Sequence, residues 1–182
     1  GDVKPLFLPT ATPTRFAESY ALEGDAQFTA GQLEAAIAAY REATNVDPNN
    51  AEVWAELARI QTYSSALRTS DADIKARLAE AVESAKKAVE VNPDDSYAHA
   101  VYAFALDWSA SWAGDPREVQ SLLTDANNEA VRALQLDNSN TLAQAFYAEI
   151  LVDQQKWDQA QKNIEQALAS DSIMDPAPLR RL

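Results

Sequence analysis

From residue 15 onward, apolar side chains recur at three- and four-residue steps. Leu33, Ala36, Ile37, Tyr40 and Ala43 make one stripe, and Leu78, Ala81, Val82, Ala85, Ala88 and Val89 make another. This spacing predicts amphipathic helices, each with one face that needs a surface to lie against. Four further helices are predicted around 20–28, 54–63, 99–108 and 144–152. All eight prolines fall at the chain ends, between predicted helices or at a helix start, so none breaks a helix interior. Residues 1–14, GDVKPLFLPTATPT, follow a different rule: Pro5, Pro9 and Pro13 recur every four residues among Thr and Ala. They predict an extended, polyproline-like linker, 1–14. Its apolar triplet Leu6-Phe7-Leu8 is either part of the tether or a segment that docks in a groove of this or a neighbouring molecule.

The stripes belong to a repeat. AIAAYREATNVDPNN (36–50), AVESAKKAVEVNPDD (81–95) and ANNEAVRALQLDNSN (126–140) end alike and are spaced by 45 residues. AQKNIEQALASDSIM (160–174) follows after 34. Each places a small residue, an apolar site four later and Ala three further on, then a polar turn. Four helix-turn-helix units in tandem predict a solenoid, because each pair buries its apolar face only by stacking on its neighbours. The units run over about 17–50, 51–95, 96–140 and 141–174 of a domain spanning 15–182. The start of a capping helix is expected at 175–182, with Asp175 as its cap and Leu179 and Leu182 on its apolar side.

These units resemble the tetratricopeptide repeat (TPR) family, whose pattern is W-x2-L-G-x2-Y, then A-x3-F, then A-x4-P. The first unit supplies Tyr20, Gly24, Ala36, Tyr40, Ala43 and Pro48; the second Trp54, Leu57, Ala58, Ala81, Ala85, Ala88 and Pro93. The third supplies Tyr102, Ala103, Ala126, Ala130 and Ala133, with Asn138 in place of proline. The fourth supplies Tyr147, Ala148, Leu151, Ala160, Ile164 and Ala167, with Ser172 in that place. The resemblance implies an all-α fold, a right-handed α-solenoid of antiparallel helix pairs.

The second and third units depart from it, since 45 residues against 34 leaves eleven extra in each. Eleven residues are about three helical turns, so both helices of these two central units are expected to lengthen without rotating their apolar faces. Ser70 with Asp73, and Asp115-Pro116 with Glu118, mark the expected starts of the long second helices. A taller middle either enlarges a binding surface or pads a stable core.

Composition then removes most chemistry. There is no cysteine, so disulfides and thiolate sites are excluded, and one histidine, His99, excludes a multi-histidine metal site. About one residue in five is alanine, which favours helix. Fifteen basic residues against 28 acidic give a net charge of −13, which disfavours nucleic acid and anionic membrane surfaces as partners. No run approaches the roughly 18 apolar residues of a membrane span, so no direct membrane insertion is expected. Gly24, Gly31 and Gly114 form no phosphate loop. Asp71, Asp73, Asp94 and Asp95 sit where caps and turns favour aspartate, without calcium-loop spacing.

No catalytic residue, cofactor or metal is expected, and the chain reads as a non-enzyme. His99 is expected to be a partly buried, hydrogen-bonded imidazole packed on the preceding repeat, or else a pH switch. The only methionine is Met174. With the Pro/Thr-rich tether and the absence of cysteine, this leans slightly toward an extracytoplasmic domain of an exported or membrane-anchored bacterial protein, with a cytoplasmic adaptor as the alternative.

The resemblance implies that the first helices of the units line a concave groove. The matching places carry the aromatics Phe28, Tyr63, Tyr97, Phe104, Trp108 and Phe146. Interleaved carboxylates include Asp25, Glu56, Asp107, Glu149 and Asp153, and Arg59 is the one basic residue. Family members that clamp a peptide C-terminus use Lys, Arg and Asn there, so a clamp for acidic tails is not expected. Ala21, Ala55, Ala100 and Ala145 share one groove place and predict room for an extended chain. The expected function is a non-catalytic protein–protein interaction module that holds an extended or helical peptide segment with apolar and basic residues. The alternative is a structural scaffold that self-associates through its C-terminal repeat or packs on a neighbouring domain, the aromatics then filling a tightly wound superhelix.

Overall fold

The computed structural model describes residues 15–171. The expected linker over 1–14, its Leu6-Phe7-Leu8 triplet and the expected capping helix over 175–182 lie outside the described residues. Within them the chain forms α1 (Ala17–Thr29), α2 (Leu33–Val46), α3 (Ala51–Ser65), α4 (Asp71–Val91), α5 (Ser96–Trp112), α6 (Pro116–Leu136), α7 (Thr141–Asp153) and α8 (Trp157–Asp171). Consecutive helices pack as pairs, α1·α2, α3·α4, α5·α6 and α7·α8, and each pair stacks on the next. This is the all-α solenoid of helix pairs that the periodicity predicts.

The helices approach closely because their contact positions are alanines. Ala36, Ala43, Ala55, Ala58, Ala81, Ala85, Ala88, Ala126, Ala130 and Ala133 are all essentially inaccessible to solvent. Larger side chains fill the spaces between them, notably Ile37, Tyr40, Leu57, Ile60, Phe104, Ile150 and Leu151. Gly24 has the same purpose in an extreme form: a Cβ there would lie 2.4 Å from the Tyr40 ring.

The turns between units repeat one hydrogen-bond pattern. Asp47, Asn92 and Asp137 each accept the backbone N–H two residues on, at 3.1, 3.3 and 2.9 Å. Asn50, Asp95 and Asn140 then cap α3, α5 and α7. Asn138 replaces proline without consequence because these two flanking side chains carry the turn.

The eleven extra residues of the central units are not shared equally. α4 and α6 have 21 residues each, seven more than α2, whereas α3 and α5 have 15 and 17 against 13 in α1. Seven residues are close to two full turns, so the second helices lengthen while their stripes stay on one side. The expected starts hold. Ser70 accepts the Asp73 N–H, and Asp115 accepts the Arg117 N–H beside Pro116. Glu34 of α2 pairs with Arg68, in the turn before α4, and with Arg77 of α4 at 3.1 Å. Arg77 also reaches Glu80, which Arg41 pairs at 2.8 Å. No helix among the described residues is long and apolar enough to cross a membrane.

Candidate functional site

The first helices α3, α5 and α7 lie side by side, and α1 stands farther from α3 than these do from one another. Their shared face carries a chain of rings. Phe28 of α1 stacks near Tyr63 of α3, with centroids 6.4 Å apart, and Tyr63 lies 5.2 Å from Phe104 of α5. Phe104 stacks on Phe146 of α7 at 4.3 Å, and Trp108 meets both Phe104 and Tyr63 edge-on, at 5.3 and 6.3 Å. The six aromatics fall into two classes. Phe104 and Phe146 are 2% and 3% exposed and form the floor, whereas Phe28, Tyr63, Tyr97 and Trp108 keep accessible edges.

Arg59 sits over the Phe28 ring at 4.8 Å and the Tyr63 ring at 5.9 Å. Its guanidinium is bound at 2.6 Å by Glu56, which also accepts the Tyr97 hydroxyl from the next unit. Among the described residues, the one cation of this face is therefore already paired. Burial pushes the Tyr97 and Tyr63 phenols above their usual range, so both remain neutral.

At the α5–α7 end, the Trp108 indole donates to Glu149 at 2.9 Å. Asp107, 1% exposed, meets no N–H or hydroxyl donor on either carboxyl oxygen, and its hydrogen-bonding neighbour is the Asp153 carboxyl. Burial, followed by the like charges of Asp153 and Glu149, pushes its carboxyl up to about 8. Burial also raises Glu149, against the Trp108 N–H and with the help of Asp153. The Tyr63 hydroxyl is likewise buried and unpartnered.

Where α1 diverges from α3, a cavity of about 350 Å³ opens, lined by Glu18, Asp25, Glu52 and Glu56 with Ala21 and Leu22. The Tyr40 hydroxyl donates to Asp25 there at 2.7 Å. A larger cleft of about 680 Å³ lies away from the aromatic chain, between α2 and α4. It carries both signs of charge and is partly closed by the Arg41–Glu80 pair. Among the described residues, no group of three or more His, Cys, Asp or Glu is placed to hold a metal ion.

The structure corrects one expectation and extends another. Ala55 and Ala100 are buried in the α3–α5 contact and leave no space for a ligand chain; of that set, only Ala21 and Ala145 retain exposure. His99 does bond back to the preceding repeat, through the Pro93 carbonyl at 2.9 Å. Its stronger partner, however, is Glu129 of its own unit at 2.5 Å. Sequence reasoning placed Glu56 and Asp153 on this face without the roles they hold, Glu56 as the acceptor joining Arg59 to Tyr97 and Asp153 as the neighbour of buried Asp107. The i,i+4 spacing of Glu149 and Asp153 was the available signal.

Residues 24–62 match the TPR repeat family, and no curated protein sequence matches the chain. TTC0263, a thermophilic TPR protein of Thermus thermophilus, superposes with a TM-score of 0.74 at 18% identity, covering 86% of this chain and 75% of that one. The first TPR domain of Spaghetti (RPAP3), bound to the HSP90 peptide SRMEEVD, superposes with a TM-score of 0.56 at 20% identity, covering 75% and 94%. The second TPR domain of human RPAP3, in complex with the HSP70 peptide SGPTIEEVD, gives 0.51 at 21%, covering 74% and 97%. The fold is thus the TPR solenoid.

Proposed function

We propose that the chain is a non-catalytic protein-interaction module, and that the face of α1, α3, α5 and α7 holds an extended or helical segment of a partner. One observation carries this reading: Phe28, Tyr63, Tyr97 and Trp108 are only half-buried over a floor of stacked rings, flanked by carboxylates whose one cation among the described residues is already paired. Rigid aromatics provide large contact area at low entropic cost, and the charge selects basic ligands. The peptides bound by the RPAP3 domains end in Glu-Glu-Val-Asp; an acidic face repels such tails. The expected ligand therefore combines apolar residues with Lys or Arg.

Peptide-display selection on the 182-residue chain tests this. An enriched motif with aromatic or aliphatic residues next to Lys or Arg, bound at least about tenfold more weakly by Trp108→Ala, supports the reading. Enrichment of acidic motifs, or binding indifferent to Trp108→Ala and Phe28→Ala together, overturns it. Phe104 is no probe of binding, because its truncation empties the floor.

A second reading, assembly, is favoured by the last unit. Trp157, Ile164 and Leu168 of α8 are 60%, 45% and 58% exposed, and an apolar cavity of about 230 Å³ opens between α7 and α8. A solenoid that self-associates through this end would bury that face.

A further inference from the structure

We propose that the α5–α7 end of the face is a subsite for one basic side chain of the bound segment. Glu149 and Asp153 receive a lysine ammonium or arginine guanidinium beside the Trp108 indole, and Asp107 supplies the buried negative charge beneath them. This inference rests on the groove reading above and names which part of the ligand goes where.

Asp107 carries the argument. A carboxyl group that is almost completely buried normally has hydrogen bonds or a counter-ion, because its desolvation is otherwise uncompensated. Asp107 meets no N–H or hydroxyl donor and, among the described residues, no counter-ion. The charged groups acting on it are Asp153 and Glu149, both from α7, and both of its own sign. No group of α3 is among those that act on it. The cation of that helix, Arg59, is held by Glu56. No group of α4 or α6 acts on Asp107. The fold thus assembles three carboxyl groups, and no cation among the described residues is paired with them.

The arrangement fits an organic cation. Glu149 and Asp153 are one helical turn apart and keep accessible surface, Glu149 with its carboxyl partly sunk into the face, so they are open to a ligand from the groove side. The Trp108 N–H fixes Glu149 at 2.9 Å, which preorganises the acceptor. Guanidinium offers several donors in a planar fork, and an ammonium three donors, so either can bridge two carboxylates. The neighbouring indole accepts a cation against its face. Beneath them Asp107 acts across a low-dielectric layer, where a charge counts for more than in water. Arrival of a cation expels the proton that Asp107 holds near neutrality, so binding strengthens as pH rises from about 6.5 to about 9.

The test is an NMR titration of the 15N-labelled 182-residue chain with Nα-acetyl-arginine amide, reading the Trp108 indole N–H, which Trp108→Phe assigns. The neutral isostere Nα-acetyl-citrulline amide is the control. The expected result is a saturable Trp108 shift for the arginine probe, at least about tenfold weaker for citrulline, and tighter at about pH 9 than at about pH 6.5. Glu149→Gln with Asp153→Asn, both surface changes, should abolish it. Asp107→Asn, close to the neutral acid in shape, should keep the shift but flatten its pH dependence. Equal shifts for arginine and citrulline, or binding that survives the Glu149/Asp153 double variant, overturn the subsite. A negative peptide-display result alongside a positive arginine titration removes the groove reading and leaves the subsite standing. Selected peptides whose affinity ignores the double variant do the reverse.

Discussion

His99 shows how one position in the repeat acquires a titratable role. The fourth residue of α3, α5 and α7 bonds back to the turn before it. The Trp54 indole reaches the Pro48 carbonyl at 3.0 Å, and the Gln144 amide reaches that of Asn138 at 2.7 Å. Both groups can only donate, so His99 Nε2 carries a proton toward Pro93 as well. Its Nδ1 faces the Glu129 carboxylate at 2.5 Å, so both ring nitrogens face acceptors, an arrangement that favours the protonated imidazole. The Glu129 hydrogen bond, with the Pro93 bond adding to it and burial opposing it, raises the His99 pKa.

A raised histidine pKa contributes stability that is fully present below the unfolded value near 6.5 and is lost as pH rises through the folded one. His99→Gln keeps the donor to Pro93 and removes the pair. It should therefore cost about 1 kcal/mol at about pH 5.5 and distinctly less at about pH 9, read from urea denaturation at both values. Equal losses at the two pH values would exclude the imidazolium pair. Asp107 has the same direction for the opposite reason: its raised carboxyl pKa makes folding less favourable as pH climbs from the ordinary carboxylate range to about 8.

At the scale of helices and turns, the first and last units share a device that the central ones lack. After α1, Gly31 adopts φ 75°, and the Gly31 and Gln32 N–H groups bond back to Phe28 and Gln27 at 2.9 and 2.8 Å. After α7, Gln155 takes φ 60° with the same pair of bonds, to Val152 and Leu151, both at 2.8 Å. Glycine visits this left-handed region freely, whereas a residue with a Cβ is strained there. Gln155→Gly should accordingly raise stability by about 0.5–1 kcal/mol, seen as a higher midpoint in thermal or urea unfolding. An unchanged or lower midpoint would show that α7–α8 does not make this turn. The long second helices were legible from the 45-residue spacing, but their share was not: length counts residues, and only packing against α3 and α5 decides which helix takes the extra turns.

For the whole molecule, the question is whether the aromatic chain is surface or core, and the answer differs along it. Phe104→Ala should cost about 3–5 kcal/mol, because it opens a cavity between Tyr63, Trp108 and Phe146. Trp108→Ala, at an accessible edge, should cost far less, and matched thermal melts of the two variants check the distinction. The exposed face of α8 belongs to this scale as well. Light scattering over a concentration series should give a mass that rises above 19.9 kDa if assembly is the function, and Ile164→Ser with Leu168→Ser should restore the monomer. A strict monomer at every concentration removes the assembly reading.

Much of this was readable from one chain because the relevant physics is local. Helical stripes, alanine contact positions, Asx turns and caps, the Gly24 approach and the 45-residue period are all short-range patterns, and they specify the TPR-like stack of helix pairs before any contact is known. Charge, counted along the chain, likewise set the acidic character of the face. Which side chains remain for a partner was decided only in three dimensions, since burial depends on how closely neighbouring units approach. That distance turned Phe104, Phe146, Ala55 and Ala100 into core, opened the cavity between α1 and α3, and sealed Asp107 beneath Glu149 and Asp153, with no cation among the described residues to meet it.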